Sequence, residues 1–597
     1  MFQNFDAPTS PDQGPPRLKA LRAELDANGL DGFLIPRADA HQGEYVAPRD
    51  DRLAWLTGFT GSAGFCAALK SVAGMFIDGR YRVQVKHQVA DDFTPVHWPE
   101  TKLGDWLVEH LQTGGRIGLD PWLHTLGEVE TLEARLKGTS VTLVETANLV
   151  DNIWSDQPPR ASAPAYKYPS ELAGEGDETK RRRIAQILRD AGQKSAVLTL
   201  PDSICWLLNI RGSDIARNPV TQAFAILHDT GKLHLFSSPE KFGDLGPDPD
   251  ITLSDWAGFD AALADLTGPV QVDKSTAPLA VSRILQSAGT DIAYDDDPCI
   301  LPKACKNPVE IAGTTEAHLR DGAAMIEFLA WLEEEAPKNT LTEIDVVTKL
   351  EGFRRATNAL REISFETICG AGPNGAIVHY RVTKDSNRAV RQGDLLLIDS
   401  GGQYLDGTTD ITRTIAIGTP TQEQRQCFTR VLQGMIAISQ ARWPVGISGR
   451  DLDVLARIAL WRAGQDYDHG TGHGVGTYLS VHEGPQRLSR ISEVPLKPGM
   501  ILSNEPGYYR EDAFGIRIEN LVVVTNAPEL PGGDARAMLE FDTITWVPID
   551  LNLIDHTLLS PDEIDWINSY HAEIVTKIGH RLSASARSWL IKATASI

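Results

Sequence analysis

Five residues in the C-terminal half could together hold metal ions: Asp399, Asp410, His473, Glu505 and Glu519. Asp399 closes Gln392-Gly-Asp-Leu-Leu-Leu-Ile-Asp399-Ser-Gly-Gly, where an apolar run leads to a carboxylate and then to two glycines. Asp410 follows eleven residues later, in Gly407-Thr-Thr-Asp410-Ile-Thr412-Arg-Thr. His473 belongs to His469-Gly-Thr-Gly-His473-Gly-Val-Gly476, and His482 to Val481-His482-Glu483-Gly484-Pro485. Glu505 stands in Met500-Ile-Leu-Ser-Asn-Glu505-Pro-Gly507, and Glu519 in Phe514-Gly-Ile-Arg517-Ile-Glu519-Asn. Taken singly these stay ambiguous, since the aspartates could be turn or capping residues and Arg517–Glu519 a surface ladder. Taken together, four carboxylates around one imidazole repel unless cations intervene, and four negative charges suit two divalent ions better than one. An oxygen-rich set favours Mn²⁺, Mg²⁺ or Fe²⁺ over a thiolate zinc site, with Co²⁺ and Zn²⁺ also acceptable. Two ions held about 3.5–4 Å apart by bridging carboxylates would activate a water and polarise a carbonyl, which is hydrolytic chemistry. The HExxH spacing of zincin proteases is absent.

Local patterns say how these residues must be delivered. The apolar run before Asp399 predicts a buried strand with the carboxylate at its end, and Asp406-Gly407 offers a turn. Both aspartates could then project from one antiparallel hairpin. Four glycines in eight residues around His473 suit a loop that approaches a site closely and adopts positive φ. Period-two alternation puts Arg517 and Glu519 on one strand face, opposite Ile516 and Ile518. A metal would compensate Glu519, and Arg517 would neutralise surplus carboxylate charge nearby. Arg517 and Thr412 are placed with the site as supporting residues. A helix is predicted from Pro308 to about Glu335, and two more over 420–465 with a break at Pro444, in a mixed α+β region of short strands.

Upstream, a helix-then-strand pattern runs from Leu18 into Gly32–Pro36 and recurs as Arg181–Ala191 followed by Ser195–Leu200. Each is followed by a related signature, Trp55-Leu-Thr-Gly-Phe-Thr-Gly-Ser62 and Trp206-Leu-Leu-Asn-Ile-Arg-Gly-Ser213, at a domain-sized separation. This predicts two related α/β domains in tandem, over 1–158 and 159–305, joined by a Pro/Ala/Ser-rich stretch around 155–170. The α+β domain occupies 306–597. Residues 1–16, rich in Pro, Gln and Asp, read as a loose arm.

The bulk numbers exclude several classes. A chain of 597 residues exceeds one hydrophobic core. A net charge of -23 argues against phosphate-backbone binding. Six scattered cysteines with no CxxC pair fit a reduced compartment rather than a disulfide framework or thiolate zinc site. No secretory signal is visible after Met1, and no apolar run reaches the roughly 18 residues needed to span a bilayer. A cytoplasmic protein that binds neither nucleic acid nor membrane is expected.

The order and settings of the five candidates resemble the pita-bread metallopeptidase family of methionine aminopeptidase, prolidase and aminopeptidase P. The strings GPNGAIVHY ending at Tyr380, HGTGHGVG, VHEGP, EPGYY and FGIRIEN resemble the cytosolic three-domain aminopeptidase P branch, as do EYVAPRDDRLAWLTGFTGSAG and IDGRY near the N-terminus. The resemblance implies two tandem creatinase-like α/β domains followed by a pita-bread α+β catalytic domain. It implies an aminopeptidase that hydrolyses the bond between the first residue and a second-position proline, with two metal ions, usually manganese. It also implies a homodimer through the C-terminal domain. Asp399 would then chelate one metal and His473 the other, with Asp410, Glu505 and Glu519 contacting both. Glu505 would shuttle a proton, His379 and His482 would steady the tetrahedral intermediate or orient substrate, and His469 would line the proline-side pocket. A prolidase limited to Xaa-Pro dipeptides is the nearest alternative. A metal-free peptide-binding relative is the other, although such relatives lose ligand residues and all five are present here. A methionine aminopeptidase would need no 300-residue N-terminal half.

Overall fold

The computed structural model describes Met1–Ile597, which cluster into two units, Pro8–Lys303 and Met1–Ala7 with Ala304–Ile597. In the first unit, the helix Gly14–Ala27 buries Leu18, Leu21 and Leu25, spaced three and four residues apart on one face. It leads into β1 (Gly32–Pro36), which joins β2 (Phe65–Leu69), β3 (Ala73–Ile77), β4 (Phe93–His97), β5 (Gly115–Leu119) and β6 (Val141–Glu145). Their order in the sheet is β4-β3-β2-β1-β5-β6. The β1–β2 and β2–β3 pairs are antiparallel, whereas β3–β4, β1–β5 and β5–β6 are parallel. A second six-stranded sheet repeats that order with Ile251–Ser254, Leu233–Phe236, Phe224–His228, Ser195–Leu198, Val270–Val272 and Ile292–Tyr294. It also repeats the senses of pairing strand for strand. The duplicated Trp-Leu signature is the same helix end in both halves. Arg52–Thr57 stops at Gly58 and Pro201–Leu208 at Asn209, each in the left-handed region that glycine and asparagine tolerate best.

The second unit is mixed α+β. Its long helix, Pro308–Glu335, opens on Asn307, whose side chain accepts from the Val309 and Glu310 N–H groups. One sheet holds Ile368–Ala371, Leu395–Ser400 and Ile411–Ala416. Another holds, in order, Arg442–Pro444, Met538–Thr543, Asn520–Asn526, Ile501–Asn504, Gly472–Gly474 and Glu483–Leu488. Helices Gln422–Ser439 and Gly449–Trp461 flank the strand that begins at Arg442, so the break at Pro444 is a short strand and turn. Phe328, Leu397, Met435, Ile516 and Ile574 meet in one core drawn from these elements. Behind Ser400, buried Arg354 donates to both oxygens of Asp321 at 2.8 and 2.9 Å and to the Ser400 carbonyl at 3.3 Å. Burial alone would raise the Asp321 carboxyl, but the Arg354 charge outweighs it and holds the group below its ordinary value. Removing one member of a buried pair like this costs about 3–5 kcal/mol.

The first residues are not a loose arm. The N–H groups of Phe2 and Gln3 donate to Glu351 at 2.9 and 3.3 Å, Gln3 and Thr367 exchange two hydrogen bonds, and Arg381 holds the Asp6 carbonyl at 2.9 Å. From Pro11 the chain is already helical, with prolines in first turns where a missing N–H costs nothing. Composition hides this, because the acceptors lie some 350 residues away. All six cysteines are free thiols, and no helix is long and apolar enough to cross a membrane.

Candidate metal centre

Each of the five sequence candidates stands at or beside a strand end. Asp399 is the penultimate residue of Leu395–Ser400, and Asp410 immediately precedes Ile411–Ala416. These strands pair antiparallel with Asp399 opposite Thr412. The expected turn at Asp406-Gly407 does not join them directly. It closes a separate small hairpin between Gly402–Tyr404 and Gly407–Thr408, inserted between the two site strands. Glycine is required where the insert folds back, since a Cβ on Gly401 would lie 1.9 Å from the Thr409 carbonyl oxygen.

His473 lies in Gly472–Gly474, Glu505 follows Ile501–Asn504, and Glu519 precedes Asn520–Asn526. A Cβ on Gly472 would lie 1.9 Å from the Ser503 carbonyl oxygen, so close approach explains that glycine. Positive φ does not: none of Gly470, Gly472, Gly474 and Gly476 adopts it, contrary to the expectation for this loop.

The side chains converge. His473 Nε2 lies 3.5 Å from Asp410 Oδ2 and 3.4 Å from Glu505 Oε1. Ligand atoms of Asp410, His473 and Glu519 all fall within 4.8 Å of one another. His473 Nδ1 is engaged by the Gly474 carbonyl at 2.9 Å, which turns Nε2 toward the carboxylates. Asp399 Oδ2 accepts from Arg517 Nη2 at 2.6 Å, and Glu519 Oε2 accepts from Thr412 Oγ1 at 2.7 Å. Thr412 in turn accepts from Arg517 Nε at 3.3 Å, so Arg517 and Thr412 contact each other as well as Asp399 and Glu519.

The remaining oxygens test whether cations fit. Asp399 Oδ1, Asp410 Oδ1 and Glu519 Oε1 are buried and have no hydrogen-bond partner. Native proteins leave few buried acceptors unmet, and bare carboxylate oxygens on Asp410 and Glu519 beside His473, with a third on Asp399, fit the donor set of a hard or borderline divalent ion. Burial, then His473 and Asp399, set the Asp410 carboxyl, whose pKa is raised from 3.8 to about 6. Burial and the charges of Asp410, Glu505 and Asp399 push Glu519 well above the ordinary carboxylate range. His473 moves up to about 9: burial opposes the shift, but the Asp410 hydrogen bond and the Glu505 charge overcome it. Glu505 and His473 are the more open members, their side chains 16% and 20% exposed, while Asp410 is 4% exposed on the floor.

Of the other predicted histidines, His482 touches this cluster and His469 is linked to it, while His379 is placed only by its turn. His482 packs edge-on against His473, with ring centroids 4.4 Å apart. His469 Nε2 lies 2.9 Å from the Tyr509 hydroxyl, which accepts from Arg517 Nη1 at 2.5 Å, linking His469 to Asp399 through two residues. His379 is half-buried in the turn after Gly372–Ala376, and the strand before that turn pairs with the Asp399 strand. Three residues join the site that the sequence reading passed over. Ser503 donates to Glu505 Oε1 at 3.1 Å and accepts the His473 N–H at 2.9 Å; its place two residues before Glu505 was the available signal. Tyr509 is one, and no spacing announces it. Arg413 is the last, hidden beside Thr412.

Residues 312–526 match metallopeptidase family M24, and 537–597 match the C-terminal region of that peptidase family. The creatinase/prolidase N-terminal domain matches twice, over 17–153 and 156–310. Aminopeptidase P2 of Arabidopsis thaliana is 39% identical over 609 residues, spanning 94% of this chain and 85% of its own length. Aminopeptidase P1 of Lotus japonicus is 35% identical, spanning 97% and 99%. The solved X-prolyl aminopeptidase of Caenorhabditis elegans, described as a cytosolic enzyme with a di-nuclear active site, superposes with a TM-score of 0.92. It is 32% identical, and the match covers 98% of this chain and 99% of that one.

Proposed function

This chain belongs to metallopeptidase family M24, and from that membership we propose that it is an aminopeptidase releasing the first residue of peptides with proline second. Bare carboxylate oxygens on Asp399, Asp410 and Glu519, the last two clustered with His473, support the metal half of this reading. End-to-end similarity to aminopeptidases P, both creatinase-type domains included, supports the substrate half. We keep 1–158, 159–305 and 306–597 as the domain division.

Asp399, Asp410, His473, Glu505 and Glu519 would hold two divalent cations, of which we propose Mn²⁺. Bound there, the ions would supply a nucleophilic water at neutral pH and a Lewis acid for the scissile carbonyl. The rest falls to the chain. Glu505, held by Ser503 and open on one side, takes the proton from the attacking water and delivers it to the proline nitrogen as the C–N bond breaks. That nitrogen carries no hydrogen in the substrate, so the site must recognise the ring rather than an N–H. His469, fixed by Tyr509 against Arg517, is placed for the proline side. His482 and His379 offer ring N–H donors to the developing oxyanion. The direct test is substrate length: an Xaa-Pro-Xaa tripeptide is expected to be cleaved and an Xaa-Pro dipeptide left intact when both are followed by chromatography. The reverse result would make the protein a prolidase.

Acidity, free thiols and the cytosolic character of the nematode enzyme support a cytoplasmic protein. A homodimer is supported by helix Gly449–Trp461, where Val454, Ile458 and Trp461 lie on one face and are each 39% exposed. Arg490, beside the 77% exposed Ile491, stacks over Trp461 and extends the patch. Ile458→Glu is expected to give a monomer by light scattering, and an unchanged dimer would remove this face from the interface.

A further inference from the structure

Arg413 is a buried guanidinium whose six acceptors include no carboxylate. Its Nε donates to the Pro548 carbonyl at 3.0 Å, and its Nη1 to the carbonyls of Thr412 and Glu519 at 2.9 and 2.6 Å. Its Nη2 reaches Asn520 Oδ1, the Val547 carbonyl and the Tyr570 hydroxyl at 2.8, 2.7 and 3.0 Å. Consecutive strand residues face opposite ways, so Thr412 and Arg413 grip Glu519 from two sides. Thr412 Oγ1 binds the carboxylate, Arg413 binds the carbonyl, and the Glu519 N–H closes the clamp onto the Thr412 carbonyl at 3.1 Å. Asp410 immediately precedes this same strand, two residues before Thr412, so the clamp bears on the distance between Asp410 and Glu519.

The far side of the clamp belongs to the C-terminal region. The hydroxyl of Tyr570, on helix Pro561–Ile578, accepts from Arg413 and lies 3.0 and 3.1 Å from the carbonyls of Thr545 and Val547. Its ring stacks on both Trp546 and Trp566, at centroid distances of 5.4 and 5.0 Å. We infer that Arg413 is a positioning residue for the Asp410–Glu519 pair and that Tyr570 anchors it, so that the C-terminal region 537–597 tunes cation affinity without supplying a ligand. This rests on the reading that these two carboxylates hold cations.

The experiment is titration of the full chain, freed of metal by chelation, with Mn²⁺ against a competing indicator. Tyr570→Phe deletes one hydroxyl and keeps the stacked ring, and is expected to weaken Mn²⁺ binding about 10-fold, the lower end for groups that orient ligands. Arg413→Lys, which keeps the charge and loses the fan of donors, is expected to weaken it at least as much. Trp566→Phe disturbs the same packing without touching Arg413 and is expected to bind as wild type does. Unchanged affinity in both Tyr570→Phe and Arg413→Lys overturns the inference. So does an equal loss in Trp566→Phe, which would mark a packing effect. A wild-type chain that binds no divalent cation would remove the metal reading itself, and this inference with it.

Discussion

Glu505→Gln is expected to lower turnover of an Xaa-Pro-Xaa tripeptide by about 10³-fold, within the range that a positioned proton-transfer group contributes. The substitution is close to isosteric. A glutamine can still accept the Ser503 hydroxyl, which sits 3.1 Å from Glu505 Oε1, so strand Ile501–Asn504 and the His473 N–H contact to Ser503 need not move. What it cannot do is accept a proton and give it back. The amide also withdraws one negative charge from the cation set, so the measurement is made at saturating Mn²⁺, where occupancy no longer limits the rate. A large fall in kcat with an unchanged thermal midpoint assigns the loss to proton transfer. Full activity in the variant would take Glu505 out of the chemistry and leave it, at most, a ligand.

Why Glu505 could be singled out at all is a matter of locality. It ends an apolar run and precedes Pro-Gly, and Asp399 likewise ends an apolar run before glycine; strands announce their ends in such ways. The helix Pro308–Glu335 is equally local, with an asparagine cap, a proline in its first turn and apolar spacing behind it. The tandem α/β halves were legible because the same helix end is written twice, once closing on Gly58 and once on Asn209. The hidden features are all long-range. Arg413 meets acceptors at 519, 520, 547, 548 and 570, none of which lies in any window around it. Gln3 finds its partners at 351 and 367. The strands bearing Asp399 and Asp410 do pair antiparallel, but the turn expected between them misled for the opposite reason: a good local signal at Asp406-Gly407 closes an inserted hairpin, whose first strand also pairs with Leu360–Ile363. Local chemistry thus points to the candidate ligands, and non-local packing holds the strands that carry them.

That division bears on the second large effect, removal of the metals. Dialysis against a strong chelator is expected to reduce peptidase activity to background, and Mn²⁺ to restore it. The same treatment should make stability pH-dependent in one direction. Without cations, Asp410 holds its proton up to about pH 6, against 3.8 for an ordinary aspartate, so its ionisation cost is absent below the lower value and fully present above the higher. Glu519, also raised, adds to this. His473 is raised from 6.5 to about 9, so the stability it contributes is complete below 6.5 and lost as pH climbs through 9. All three groups make the native chain bind more protons than the unfolded chain, so stability falls as pH rises from about 4 to 9. Divalent ions take the place of those protons, which means the gain in thermal midpoint on adding Mn²⁺ should widen between pH 6 and pH 8.5. A gain that shrank over that interval would show that protons are not what the ions displace. Activity that survived chelation with no metal bound would end the metallopeptidase mechanism for this chain.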